Sequence, residues 1–476
     1  MPRPIRSRTA LLALLALSAC EVGPDYRAPT TTLLPFHNAR AVQARNPAGH
    51  PSLDTWWTAF GDPTLDGLIQ RALAQNLDLA QSFARVAQAR AAASGAAAQL
   101  LPTFDANAQA TAQHQSLNSP LGVLGRGYPG YNRDLRLYDV GAAASWEIDI
   151  AGGLRRGEEA ADATAQAAEA DMMGVRVTVA ADVADAYFQI RRDQGRIATT
   201  EQQVEVDAHL VDLVRQLRGR GLADDRQEAQ AAAVLAQARA ALPPLRIALE
   251  GQLNRLDVLL GAQPGTLAPA LTRTASHAVV PAIPAGDRPV DFLRRRPDIV
   301  AAERQLAASN AKIGQAVADY YPKLSLSGVL GFESLSASHL FTSASFQPTA
   351  TGALAWRIFD FGKIDAEVAA ARGAHAEALA RYRQTVLHAA EDVEDAFKSV
   401  VELEGRTGQL EAEVQSLQHA RDLSQQAFAA GSIPLTDVLD ADRQLLVARD
   451  SLVENRADAM RAVVGSFRAL GGGWSG

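Results

Sequence analysis

The sequence predicts a mixed α/β membrane protein built by internal tandem duplication. Its expected fold is a long coiled-coil-like α-helical barrel continuous with a transmembrane β-barrel. Three observations predict this. First, related residues recur at a constant separation. Asp78 and Asp298 lie 220 apart, as do Pro102 and Pro322, and from Trp146 and Trp356 onward the offset is 210 through Gly152 and Gly362, Gly221 and Gly431, and Gly261 and Gly471. Second, stretches of about eleven residues alternate apolar and polar side chains, the length and pattern of a membrane strand. Third, proline is absent between Pro129 and Pro243 and between Pro348 and Pro434, where apolar residues recur every three or four positions.

The chain has 476 residues, 47% apolar and 21% charged, with a formal charge of −7. That composition supports a buried core, and the acidic balance argues against nucleic acid as a partner. Residues 1–19 read as a signal peptide: Arg3, Arg6 and Arg8 precede an apolar run from Ala10 to Leu17 too short to span a bilayer. The small residues before Cys20 resemble a bacterial lipobox, so Cys20 is the expected lipid-attachment site. It is the only cysteine, so no disulfide can form within one chain. Glu21 stands where an inner-membrane retention signal would place Asp, which favours outer-membrane sorting. No later run has the roughly 18 apolar residues of a transmembrane helix, so any membrane crossing must use strands.

Residues 20–64 are expected to form a lipid-anchored segment with short equatorial elements, followed by repeat 1 (65–261), a Pro-rich linker (262–290) and repeat 2 (291–471). Each repeat opens with a helix stopped by proline, at Leu101-Pro102 and at Tyr321-Pro322. A β-hairpin follows, over 103–150 and over 323–359. In the first strand Phe104, Ala106, Ala108, Ala110 and Ala112 fall on one side; Asp105, Asn107, Gln109, Thr111 and Gln113 fall on the other. The fourth strand is expected to end at Trp356 and Ile358. The loop at 116–132, rich in Gly, Pro, Ser and Asn, suits an exposed outer surface. Long helices are expected over 155–217 and 362–430; the first would span about 95 Å at the usual helical rise. Glycine turns then reverse the chain into return helices over 224–260 and 435–470, the first expected to kink at Pro243-Pro244.

Four strands cannot close a barrel, and lipid tolerates no open sheet edge, so copies of the chain must pool their strands. Three copies supply twelve strands with room for a wet lumen, which the polar face carrying Asp105, Asn107 and Gln109 favours. The expected assembly is a homotrimer.

The lipobox, "EVGPDY", "WWTAFGDPTLDGLIQRALAQNLDL", "RRPDIVAAERQLAASNAKIGQA", "YYPKLSLSG", "LTDVLDADRQLL" and "ALGGGW" together resemble the outer membrane efflux protein family, the TolC-like outer membrane factors, and most of all their lipoprotein (NodT-type) branch. The resemblance covers nearly all of residues 20–474. It implies a homotrimeric duct that exports small molecules such as drugs across the periplasm and outer membrane of a Gram-negative bacterium. It also implies a periplasmic adaptor (membrane fusion protein) and an inner-membrane pump of the resistance-nodulation-division type as partners. No cofactor is expected beyond the lipid on Cys20.

Two aspartates carry the functional expectation. Asp437 and Asp440 are three apart, so they share a helix face. Such charges complement a helix dipole in the first turn, with Thr436 as a cap. By resemblance to the family's "VDVLDA" pattern they instead line the periplasmic constriction and act as its gate. Copy one has Gln227 and Gln230 there. The family's arginine and tyrosine latch positions hold Ile433 and Phe428. The turns at Gly219, Gly221 and Leu222 and at Gly431, Ser432 and Ile433 are the candidate adaptor contacts. Trp146 and Trp356 fit either an interface anchor or core packing, Arg294–Arg296 a solvated surface or inter-subunit salt bridges, and the terminal GGGW a flexible stop. Histidines show no ligand spacing, and no Walker A loop or GxSxG occurs, so an enzyme is not expected. Two competing readings are the duct of a type I protein-secretion system and a channel-less envelope coiled coil, which would not need the alternating strands.

Overall fold

The computed structural model describes residues 21–30, 33–45, 52–266, 271, 279–284 and 293–474. The signal peptide and the lipid-attachment expectation at Cys20 lie outside them. In chain order the elements are α1 (Ala39–Gln43), a 3-10 helix (Leu53–Phe60), α2 (Pro63–Gln75), α3 (Leu77–Ala98), β1 (Thr103–His114), α4 (Pro120–Gly125) and β2 (Asp134–Ile148). After these come α5 (Gly153–Gly219), α6 (Asp225–Leu259), α7 (Pro297–Ala318), β3 (Lys323–Ser334), β4 (Phe346–Ala355), α8 (Lys363–Ala429) and α9 (Leu435–Ala469). Both long helices, α5 and α8, have 67 residues and both return helices have 35, as duplication requires. No described helix is long and apolar enough to cross a membrane.

The chain divides into two compact units. The first comprises 1–28, 87–167 and 303–381; the second comprises 29–86, 168–302 and 382–476.

The first unit contains the sheet, antiparallel throughout in the order β1-β2-β3-β4. Its central pairing joins the two copies: Tyr138 lies opposite Ser334 and Ile148 opposite Leu324. At the middle of that pairing Gly141 faces Gly331, and a Cβ on Gly141 would come within 3.0 Å of the Gly331 Cα. The glycines let the two backbones meet. β4 is exposed along its whole length and β1 along all but one residue, and each leaves one edge unpaired within the chain.

One expectation changes here. The fourth strand ends at Ala355, before Trp356 and Ile358. Just past that end the Trp356 indole N–H donates to the Tyr320 carbonyl at 3.0 Å. Trp146 does the same to Leu100 at 2.9 Å, so both indoles tie the second strand of a hairpin to the segment after the helix that precedes that hairpin. After each strand pair a glycine in the left-handed region, Gly152 (φ +79°) and Gly362 (φ +84°), turns the chain into a long helix.

In the second unit, Val183, Tyr187 and Ile190 of α5 meet Val393, Phe397 and Val400 of α8 in one core with Trp56, Phe60, Ile69 and Phe467. The repeated "DVADAYF" and "DVEDAFK" segments thus supply matching buried side chains, Tyr187 in one copy and Phe397 in the other. Trp56 stacks on Phe467 at 5.3 Å. The Tyr187 hydroxyl donates to Asp62, which also caps α2 through the amides of Thr64 and Leu65. Burial raises the Tyr187 hydroxyl above the ordinary tyrosine value.

The GGGW segment is no flexible stop. Gly471, Gly472 and Gly473 are buried; the Gly473 amide donates to the Leu53 carbonyl at 2.7 Å, and its carbonyl accepts from Arg176 at 2.9 Å. A Cβ on Gly472 would lie 2.9 Å from the Trp56 ring, so small residues are what let the tail dock. The arginine run is also tied down within the chain. Arg296 donates to Asp298 (2.7 Å) and Asp392 (2.8 Å) and to two carbonyls, that of Ala389 within α8 and that of Ala469 at the end of α9. Arg295 reaches Asp54 and the Trp474 carbonyl. Helix α6 continues through Pro243 and Pro244 as one element.

Candidate functional site

The site is built where each long helix turns into its return helix, and both turns belong to the second unit. At α5 the Leu222 amide donates to the Leu217 carbonyl (2.9 Å) and the Gly221 amide to Arg218 (2.9 Å). At α8 the Ser432 amide donates to Ala427 (2.8 Å) and Gly431 to Phe428 (2.9 Å). These are Schellman motifs, which use the last free helix carbonyls and require a left-handed residue; Gly221 (φ +73°) and Gly431 (φ +74°) supply it. Leu222 is exposed, as are Gly219, Gly221, Gly431 and Ser432. Ile433 is half-buried.

Below the turns, Leu210, Val211 and Val214 of α5 pack with Ala231 of α6, Phe428 of α8 and Leu435 and Val438 of α9, with Ile433 against them. Phe428 and Ile433, expected by resemblance to stand at latch positions, therefore join an apolar cluster.

The two return helices start differently. In copy one Asp224 caps α6: the Gln227 amide donates to its carboxylate (2.8 Å), and the Gln227 side chain accepts from the Asp224 amide (2.9 Å). In copy two the cap position is Pro434, which has neither a side-chain acceptor nor an N–H, and no side chain caps the helix. Thr436 is not the cap: it lies inside α9 and its hydroxyl donates to Asp437 at 3.3 Å. Asp437 holds the third helical position, as Gln227 does, but the proline gives its carboxylate no cap amide to engage. It stays exposed in the first turn, where the helix dipole favours an anion.

Asp440 is also exposed, and Val438 between them faces inward. Arg443 (2.7 Å) and then Gln444 (2.6 Å) donate to Asp440 and hold its carboxyl below the ordinary carboxylate range. One turn inward lies a second acidic pair that the sequence reading missed. Asp207 of α5 and Asp442 of α9 are each 1% exposed. One Asp207 oxygen accepts from Gln203 and one Asp442 oxygen from Arg421, both at 2.8 Å; the other oxygen of each is buried without a hydrogen bond. A signal was present: Asp207 falls on the apolar stripe Val204, Val211, Val214, and Asp442 on Leu435, Val438, Leu445.

In the first unit, the polar face of β1 is internally bonded: Asn107 donates to Asp139 (3.0 Å) and Gln109 to Thr111 (3.2 Å), with Asp105 on the same side. No group of three or more potential metal ligands occurs among the described residues.

The sequence profile of the family described as "Outer membrane efflux protein" matches residues 68–262 and 289–472. The chain is 33% identical over 472 residues to "Pyoverdine export outer membrane protein OpmQ" of Pseudomonas aeruginosa, covering 99% of this chain and 97% of that protein. It is 30% identical to "Toluene efflux pump outer membrane protein TtgI" of Pseudomonas putida, covering 98% of each. Among solved structures it is similar to the outer-membrane channel OprN, with a TM-score of 0.87 and 34% identity over 96% of this chain and 100% of that one. With the duplicated helices, the four-stranded sheet and matches along nearly its whole length, the chain belongs to the outer membrane efflux protein family.

Proposed function

We propose that this protein is the outer-membrane exit channel of a tripartite efflux pump in a Gram-negative bacterium, exporting small molecules passively, with no catalysis of its own. Its cargo class is supported by relatives named for pyoverdine export and for toluene efflux. The observation that carries the reading is the sheet. Its four strands leave the β1 and β4 edges unpaired within one chain and both faces largely exposed, an arrangement that lipid does not tolerate. Joining β4 of one copy to β1 of the next closes twelve strands in a homotrimer, with Asp105, Asn107 and Gln109 lining the lumen.

Exposed Phe83, Ile247, Val258, Leu387 and Val447 on the helices are apolar surface that neighbouring copies would cover. The lipid on Cys20 would hold the N-terminus in the outer membrane. Gly219, Gly221, Leu222, Gly431, Ser432 and Ile433 would meet a periplasmic adaptor, which connects the channel to a resistance-nodulation-division pump in the inner membrane. Asp437 and Asp440, six carboxylates per trimer, would form the gate.

The test is reconstitution of the purified protein in planar bilayers with its mass measured in detergent. A trimer with discrete cation-preferring conductance is expected. A stable monomer, or a trimer that conducts no ions even with Asp437 and Asp440 replaced by alanine, would sink the reading.

A further inference from the structure

Asp207 and Asp442 stand apart from the exposed gate candidates because neither touches solvent and each keeps one oxygen without a partner. A buried carboxylate oxygen without a donor is costly, and each of these two residues carries one. The charges that face the pair do not balance it. Arg421 of α8 donates to Asp442 and shares its charge with Asp422 (3.0 Å), while Arg449 of α9 donates to Gln418. Asp207 has only the neutral Gln203 as a bonded partner. Burial first, with the Asp442 charge adding to it, pushes the Asp207 carboxyl up to about 6 against the opposing Gln203 bond and Arg421 charge, and burial likewise raises Asp442.

One proton repairs this. A protonated Asp207 carries no charge beside Asp442 and gains a donor where only acceptors were present. The position matters because Leu210 and Val211, one turn beyond Asp207, and Val438, one turn before Asp442, are members of the apolar cluster beneath the turns.

We propose that Asp207 and Asp442 together bind a single proton, and that its release loosens the packing of the α8–α9 turn against α5. The sign follows: the packing is tightest in acid and weakens as pH rises through 6. The proton site stands without the channel reading; only its consequence for conduction rests on it.

The experiment is hydrogen exchange of the full-length protein between pH 5 and 8, corrected for intrinsic exchange, read over residues 421–445. Protection is expected to fall about tenfold in the wild type, the equivalent of about one pKa unit of coupling. Asp207→Asn, which mimics the protonated side chain, should stay protected at every pH, and Asp442→Asn should flatten the profile too. A flat wild-type profile, or the wild-type fall persisting in whichever variant folds, would overturn the proposal. Because exchange is read on the protein alone, it can fail while bilayer conductance stands, and the reverse.

Discussion

Trp146 and Trp356, 210 residues apart, make one and the same bond: each indole N–H donates to the carbonyl near the end of the preceding helix, Leu100 at 2.9 Å and Tyr320 at 3.0 Å. Duplication has copied a contact along with the elements. The bond fastens each hairpin's second strand, at or next to its end, to the segment that leads into the first strand.

Replacing either tryptophan by phenylalanine keeps an aromatic ring and removes the donor. Each of Trp146→Phe and Trp356→Phe should cost about 0.5–1.5 kcal/mol. Thermal unfolding of the purified protein checks this; equal losses in the two variants are expected, because the copied bonds have nearly equal geometry.

Glycines at positive φ separate two kinds of cost. At Gly431 a Cβ meets nothing within 4 Å, so Gly431→Ala should cost only the left-handed backbone, about 1–2 kcal/mol, and leave the fold intact. At Gly23 (φ +96°) a Cβ would lie 2.4 Å from the Gly314 Cα. That contact sits inside a strap held by Val22 to Ala151 (3.1 Å), Asp25 to Arg156 (3.0 Å) and Asn310 to Pro24 (2.7 Å). Gly23→Ala should therefore release the strap, measured as faster tryptic cleavage after the exposed Arg27, with Gly431→Ala as the unaffected control.

Asp437→Ala/Asp440→Ala should raise single-channel conductance and weaken block by divalent and trivalent cations. The pH dependence has a definite sign. Arg443 holds Asp440 below its ordinary range, so its charge persists as pH falls through that range. Cation block should thus survive at pH 5 in planar bilayers. Loss of block already at pH 6 would sink the assignment of the block to Asp440.

The Tyr187 hydroxyl is buried against Asp62 in the core of the second unit. Tyr187→Phe leaves a buried carboxylate oxygen without that donor and should cost about 1–3 kcal/mol in chemical unfolding. The copy-two equivalent, Phe397, already lacks the hydroxyl and has no such bond to lose.

Much of the fold was legible because its signals are local. Alternation in "TFDANAQATAQ" and three-four spacing in the proline-free stretches each report one backbone period. The turn glycines were legible because the Schellman motif demands positive φ at one position. The candidate site was half legible. Asp437 and Asp440 lie three apart and matched a family pattern, whereas Asp207 and Asp442 are 235 residues apart and hide in apolar stripes. Reading GGGW as loose failed because glycine means freedom only until something packs on it; here Trp56 does.

By itself, then, the sequence determined the duplication, the number and kind of elements, the turn positions and the acidic character of one turn, since all of these are carried by neighbours along the chain. Tertiary structure alone decided that β2 pairs with β3 across the copies, that Arg296 reaches a carbonyl of each of α8 and α9, that the C-terminal glycines dock on Trp56, and that two distant aspartates are each buried with one oxygen unbonded. Those are long-range contacts, and no local period encodes which distant partner a side chain will meet.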